Sequence, residues 1–86
     1  MTNEEILQQI YDETLVGNKP AVVELTALGI ESEIPPNTLL FEALIPALEE
    51  VGARFERGDF FVPEMLISGR AMTGALELLR PLLVDS

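Results

Sequence analysis

The side chains of this chain that could do chemistry are almost all carboxylates. Fifteen Asp and Glu stand against five Lys and Arg, a net charge of −10, and histidine and cysteine are both absent. That absence removes imidazole triads and dyads, Cys/His zinc sites and histidine-ligated haem. It also closes a di-iron bundle, which needs Glu-x-x-His pairs. Paired carboxylates could serve as general acid and base. Glu49 and Glu50, however, are consecutive, and on a helix they would point to different parts of the surface. They read as a solvated face, and no catalytic pair emerges. A phosphopantetheine carrier of similar size and charge needs a serine after aspartate and before leucine. Ser32 lies in Glu-Ser-Glu, Ser68 in Ile-Ser-Gly and Ser86 is terminal, so none fits. A phosphate backbone would be repelled, and nucleic acid is not an expected partner.

The feature that remains is apolar: Gly58-Asp59-Phe60-Phe61-Val62-Pro63. A helix connection is normally polar, yet this one carries three large apolar residues between a capping glycine and a helix-starting proline. One of them is accounted for by a hydrophobic staple, Phe61 or Val62 packing on Met65 or Leu66. The surplus implies a covering partner or an apolar lid over a ligand.

The elements that must position this turn follow from apolar spacing. Thr2-Asn3-Glu4-Glu5 has the form of a capping box, starting a first helix with Ile6, Leu7, Ile10, Tyr11 and Leu15 inward. Gly17 stops it and Asn18 caps the next. Ala21, Val22, Leu25 and Leu28 make the inner side of that second helix, with Gly29 expected to end it and Ile30 to fold back. Pro36 opens a third helix, whose stripe is Leu40, Leu44, Leu48, Val51 and Phe55. Pro46 inside it cannot donate a hydrogen bond to the Glu42 carbonyl, which predicts a kink. Glu50 and Arg54 form a favourable i, i+4 pair. Gly58 closes the helix. Pro63 and Glu64 open a fourth, with Leu66, Met72, Leu76 and Leu79 inward and Pro81 as its expected end. Ser68, Gly69, Ala71, Gly74 and Ala75 make that helix small on part of its surface, for close packing or for the approach of something flat. Four amphipathic helices without strand-like alternation give an all-α fold, a four-helix bundle in one domain. The longest charge-free run, Ile34 to Phe41, contains two prolines and is far short of the roughly 20 apolar residues of a membrane span. No membrane partner is expected, and cytoplasm is the default location.

Val51-Gly52-Ala53-Arg54-Phe55-Glu56-Arg57-Gly58-Asp59-Phe60-Phe61-Val62-Pro63-Glu64 resembles the signature of the helical cap domain of cobalamin-binding corrinoid proteins. These are the modules of methionine synthase and of corrinoid methyltransferase systems. Gly29-Ile30, Leu44-Ile45-Pro46 and Ser68-Gly69-Arg70-Ala71-Met72 are similar to the same family, so the resemblance spans nearly the whole chain. It implies a cap lying over the upper face of the corrin and shielding a cobalt-bound methyl group. A phenylalanine and, seven residues later, a leucine touch that face in methionine synthase. By position they fall on Phe55 and Val62, valine being a mild departure. Phe61, Met65, Leu66 and Gly69 are further candidates around them. Related light-sensing repressors carry tryptophan at the position of Phe55, which favours the methyl-carrier branch.

The resemblance further implies that cobalamin, as methylcobalamin, is held only together with a Rossmann-like domain bearing Asp-x-His-x-x-Gly. Residues 1–86 are then a single cap domain, with the Rossmann-like domain absent from the chain. The cap is not an enzyme by itself but part of a cobalamin-dependent methyltransferase system, with methyltransferase subunits as partners. Uncovered, its corrin-facing surface is expected to self-associate. The alternative is an acidic interaction module, without cobalamin, docking through the Phe60 to Val62 turn. Phe55 divides the two kinds of reasoning: the stripe makes it ordinary core, whereas the resemblance makes it project from the bundle.

Overall fold

The structure is a computed structural model and describes residues 1–83. Helix α1, Asn3–Leu15, begins with the capping box. The Glu5 N–H donates to Thr2 Oγ1 at 3.1 Å, and the Thr2 N–H donates to Glu5 Oε1 at 2.9 Å. The chain turns at Gly17, φ 73°, where a Cβ would collide with Ile67. Asn18 then caps α2, Lys19–Glu31, accepting from the Ala21 N–H.

Gly29 does not end α2, which continues for two residues beyond it. The glycine is there for packing: a Cβ would lie 2.8 Å from Leu39 Cδ2. The reversal falls instead on Glu33, φ 64°, and the residue that folds back is Ile34 rather than Ile30. The buried Ile34 donates its N–H to the Gly29 carbonyl at 3.0 Å. Leu28 is exposed, and the buried side of α2 is Val22, Thr26 and Gly29.

The third helix, α3, has three parts: α-helical Pro36–Leu39, one π-helical turn Leu40–Leu44, and α-helical Ile45–Arg57. Pro46 sits second in the last part. Ahead of the proline, where the sequence predicts a kink, the helix widens, and the Ile45 N–H reaches back to the Leu40 carbonyl. The turn also moves the buried face. Four-residue steps drift around an α-helix by about 40° each, and a wider turn cancels that drift. Leu39, Ala43, Leu44, Ala47 and Val51 therefore face inward. Leu40 is only half-buried, and Leu48 and Phe55 of the expected stripe are exposed.

Helix α4, Val62–Leu83, passes through Pro81 instead of ending before it. Lacking an N–H, the proline cannot donate to the carbonyl of Glu77, an exposed residue, so the missing bond lies on the solvent side of the helix. The buried face of α4 is Ser68, Ala71, Gly74, Ala75 and Leu79; Leu66 is exposed. The small residues bring α4 close to α2, and a Cβ at Gly74 would lie 2.8 Å from Val23 Cγ2. Ser68 Oγ donates to the Leu15 carbonyl at 3.0 Å, tying α4 to the end of α1.

Among the described residues there is no strand, and the four helices enclose two apolar clusters. The larger holds Ile6, Ile10, Val22, Leu39, Leu44 and Leu79 with their neighbours. The smaller, Leu15, Ala47 and Val51 with Tyr11, Phe60 and Met65 against it, underlies the turn between α3 and α4.

Candidate functional site

The α3–α4 turn sends its three apolar residues in different directions. Phe60 goes inward, onto the smaller cluster. Phe61 stays out, 65% exposed. Its backbone is held, the N–H donating to Glu64 Oε2 at 2.9 Å. Val62 begins α4 and is also exposed.

Two uncovered apolar stripes leave this turn. On α3 they are Phe55, Gly52 and Leu48; on α4 they are Val62, Leu66 and Gly69. Spacings of three and four residues place each set on one helix face. Leu48 is 47%, Phe55 44%, Val62 56% and Leu66 55% exposed. The other faces of the same segments, Ala47, Val51 and Met65, pack on the smaller core cluster. The two helices adjoin, and Phe55 and Val62 are the members of the two stripes nearest the turn in sequence.

Glycine distinguishes this surface from ordinary exposed apolar residues. A mid-helix glycine costs about 1 kcal/mol relative to alanine. Gly29 and Gly74 offset that cost, because neighbouring side chains occupy the space a Cβ would take. Gly52 and Gly69 do not: among the described residues, apart from chain neighbours and the helix's own adjoining backbone, nothing lies within 4 Å of where their Cβ would be. The surface is thus low at one point on each helix and bounded by Leu48, Phe55, Val62 and Leu66. It can meet a broad, flat, apolar-faced ligand through van der Waals contact and exclude water from it.

It cannot ligate a metal. The sequence has no histidine or cysteine, and among the described residues no three acidic side chains are grouped to hold an ion. A cleft between α1 and the π turn, lined by Glu4, Leu7, Gln8, Tyr11, Glu42 and Pro46, contains none of the residues expected from the sequence. Of those, Phe55, Val62, Phe61, Leu66 and Gly69 are accessible, and Met65 is the one that turns toward the core. Sequence reasoning missed Leu48, assigned to the core stripe, and Gly52. The available signal was a glycine three residues before Phe55 and four after Leu48, inside a helix.

These features define a helical bundle that, among the described residues, exposes apolar side chains beside two glycines with open Cβ positions. The chain belongs to the B12 binding domain family, whose model matches residues 6–80. It is 33% identical over its full length to monomethylamine corrinoid protein 2 of Methanosarcina acetivorans, covering 40% of that protein. It is 31% identical to the dimethylamine corrinoid protein of Methanosarcina barkeri, over 99% of this chain and 39% of the relative. A solved structure of the Methanosarcina barkeri monomethylamine corrinoid protein matches with a TM-score of 0.89 at 29% identity, over 93% of this chain and 38% of that one. The chain thus spans about two-fifths of the length of these relatives.

Proposed function

We propose that this chain is the cap of a corrinoid methyl carrier, lying over the upper face of cobalamin. The observation that carries the reading is the pair of glycines, Gly52 and Gly69, among exposed apolar side chains and with no neighbour among the described residues packed where a Cβ would be. The donor set agrees with an upper-face role: apolar side chains are present and metal ligands are not. Phe55 and Val62 would hold the corrin edge nearest the turn, and Leu48 and Leu66 would bound the glycine floor. Cobalamin, when bound, supplies a cobalt centre that can carry a methyl group. The contribution of this chain is a dry cover that limits water and competing reactions there.

On this reading a Rossmann-like cobalamin-binding domain is the neighbour of the cap and supplies the lower ligand, which a chain without histidine cannot. Methyltransferase subunits are the further partners, and the cap itself performs no chemistry. The names of the relatives favour methylated amines as the methyl source. The test is an NMR titration of the chain with methylcobalamin, read at backbone amides. Shifts confined to Gly52, Phe55, Val62, Leu66 and Gly69 are expected. A response centred on the cleft at Tyr11 and Glu42, or none on the glycine-floored face, overturns the reading.

A further inference from the structure

The apolar face depends on a turn whose direction is not set by apolar packing alone. Gly58, φ 84°, closes α3 with two reversed hydrogen bonds. Its N–H donates to the Phe55 carbonyl at 3.1 Å, and the Asp59 N–H donates to the Arg54 carbonyl at 2.8 Å. The Phe60 N–H joins the same carbonyl at 3.1 Å. The side chain of Arg54 works on the same residues. Its guanidinium carbon lies 5.4 Å from the centre of the Phe60 ring, while its Nε donates to Glu50 Oε2 at 2.9 Å. Arg57 bridges the turn from its other side, donating from Nη2 to Glu50 Oε2 and from Nε to Asp59 Oδ2, each at 3.2 Å. Glu50 is thus shared by both arginines, and through them it fixes Asp59 and Phe60. Arg54 and Phe60 together form part of the wall of a groove whose other sides are Leu15, Val16, Glu64 and Ile67. Glu64 in turn accepts from the Phe61 N–H.

We propose that Arg54 and Glu50 are positioning residues for the cobalamin-facing surface: their ion pair, with Arg54 stacked on Phe60, holds Phe60 inward so that Phe61 and Val62 are presented beside Phe55. The proposal rests on the cap reading. Its physical logic is a choice between adjacent aromatics. Phe60 and Phe61 are of one type, and either could fill the small cluster under the turn. A cation over the ring attracts the residue it covers, and the planar guanidinium can stack and donate to a carboxylate at once, which an ammonium cannot. The backbone bonds to the Arg54 carbonyl would form for many side chains; the stack and the Glu50 pair select Phe60.

The test compares the unaltered chain with Arg54→Met, which keeps the stem, and Arg54→Lys, which keeps the charge and loses the stack. Glu50→Gln is made alongside, so that a folded variant exists if Arg54→Met fails to fold. Two readouts are taken: amide hydrogen exchange, and the methylcobalamin shifts described above. In Arg54→Met, protection of the Asp59 and Phe60 amides should fall by about tenfold or more while core amides of α1 and α2 hold theirs. Shifts at Val62 should be lost while those at Gly52, on the regular part of α3, remain. Arg54→Lys should be intermediate. Unchanged exchange at Asp59 and Phe60 in both Arg54→Met and Glu50→Gln overturns the lock, whatever cobalamin does. Lost protection with unchanged shifts at Val62 overturns the link to the ligand and leaves the cap reading standing. An absence of shifts on the face in the unaltered chain overturns the cap reading and this proposal with it, and is told apart by that control.

Discussion

Phe55 shows how exposure decides between two energies. A phenylalanine removed from a packed core typically costs about 3–5 kcal/mol, which would nearly unfold a domain with only about 5 kcal/mol in hand. Phe55 is 44% exposed and is not among the buried residues of either cluster. Phe55→Ala should therefore cost under about 1.5 kcal/mol while weakening the methylcobalamin response. A melt in which the variant fails to fold would return Phe55 to the core. Gly52 gives the opposite pairing of signs. Its Cβ position is empty, so Gly52→Ala should raise stability by about 0.5–1 kcal/mol through helix propensity. On the cap reading the same methyl group would stand in the path of the ligand, so binding should fall. A variant that gains stability and keeps its full response would remove the glycine from the site.

At the scale of elements, two carboxylates make stability depend on acid. Glu5 is held below the ordinary glutamate range by hydrogen bonds from Thr2, its backbone first. Glu50 is held below it by hydrogen bonds from Arg54 and then Arg57. The unfolded chain therefore binds protons more readily at these groups, and their contribution is present above the ordinary glutamate pKa of about 4.3. It is lost as the pH falls through the lower native values. The stability advantage of the unaltered chain over Glu50→Gln should shrink between pH 6 and pH 3 in thermal melts. An advantage that grows toward acid would have the wrong sign. These local devices were legible in the sequence: the capping box, Asn18, Gly58 and the Glu50–Arg54 pair all depend on neighbours within four residues. What was not legible depended on distant partners. Gly29 looks like a helix end until Leu39 is placed against it. The register of α3 could not be read because the π turn moves the buried face from Leu48 to Ala47. For the same reason Phe55 was assigned outward only through the resemblance, and Gly52 was missed. Pro81 misled because a proline beside an exposed residue costs one carbonyl partner and not the whole helix.

For the whole molecule, charge and the apolar face act against each other. A net charge of −10 on 86 residues repels a second copy at low ionic strength. The uncovered stripes at Leu48, Phe55, Val62 and Leu66 favour one. Salt decides which dominates, because it screens exposed charges over about 10 Å at 0.1 M and about 3 Å at 1 M while leaving apolar contact intact. The chain should sediment as a monomer in dilute buffer and associate as salt is raised at high protein concentration. Leu48→Ser, on the uncovered face, should suppress that association, whereas Leu28→Ser, on an exposed part of α2, should not. A profile that stays monomeric at about 1 M salt would mean that the face is covered within the chain. On the cap reading, the same face limits affinity for cobalamin. It offers apolar contact to one side of a large ligand without a metal ligand, and binding in trans must meet the full cost of lost rotation and translation. The dissociation constant should accordingly lie at about 0.1–10 mM. Submicromolar binding in calorimetry would require contacts that the glycine-floored face does not provide, and would place the ligand elsewhere on the chain.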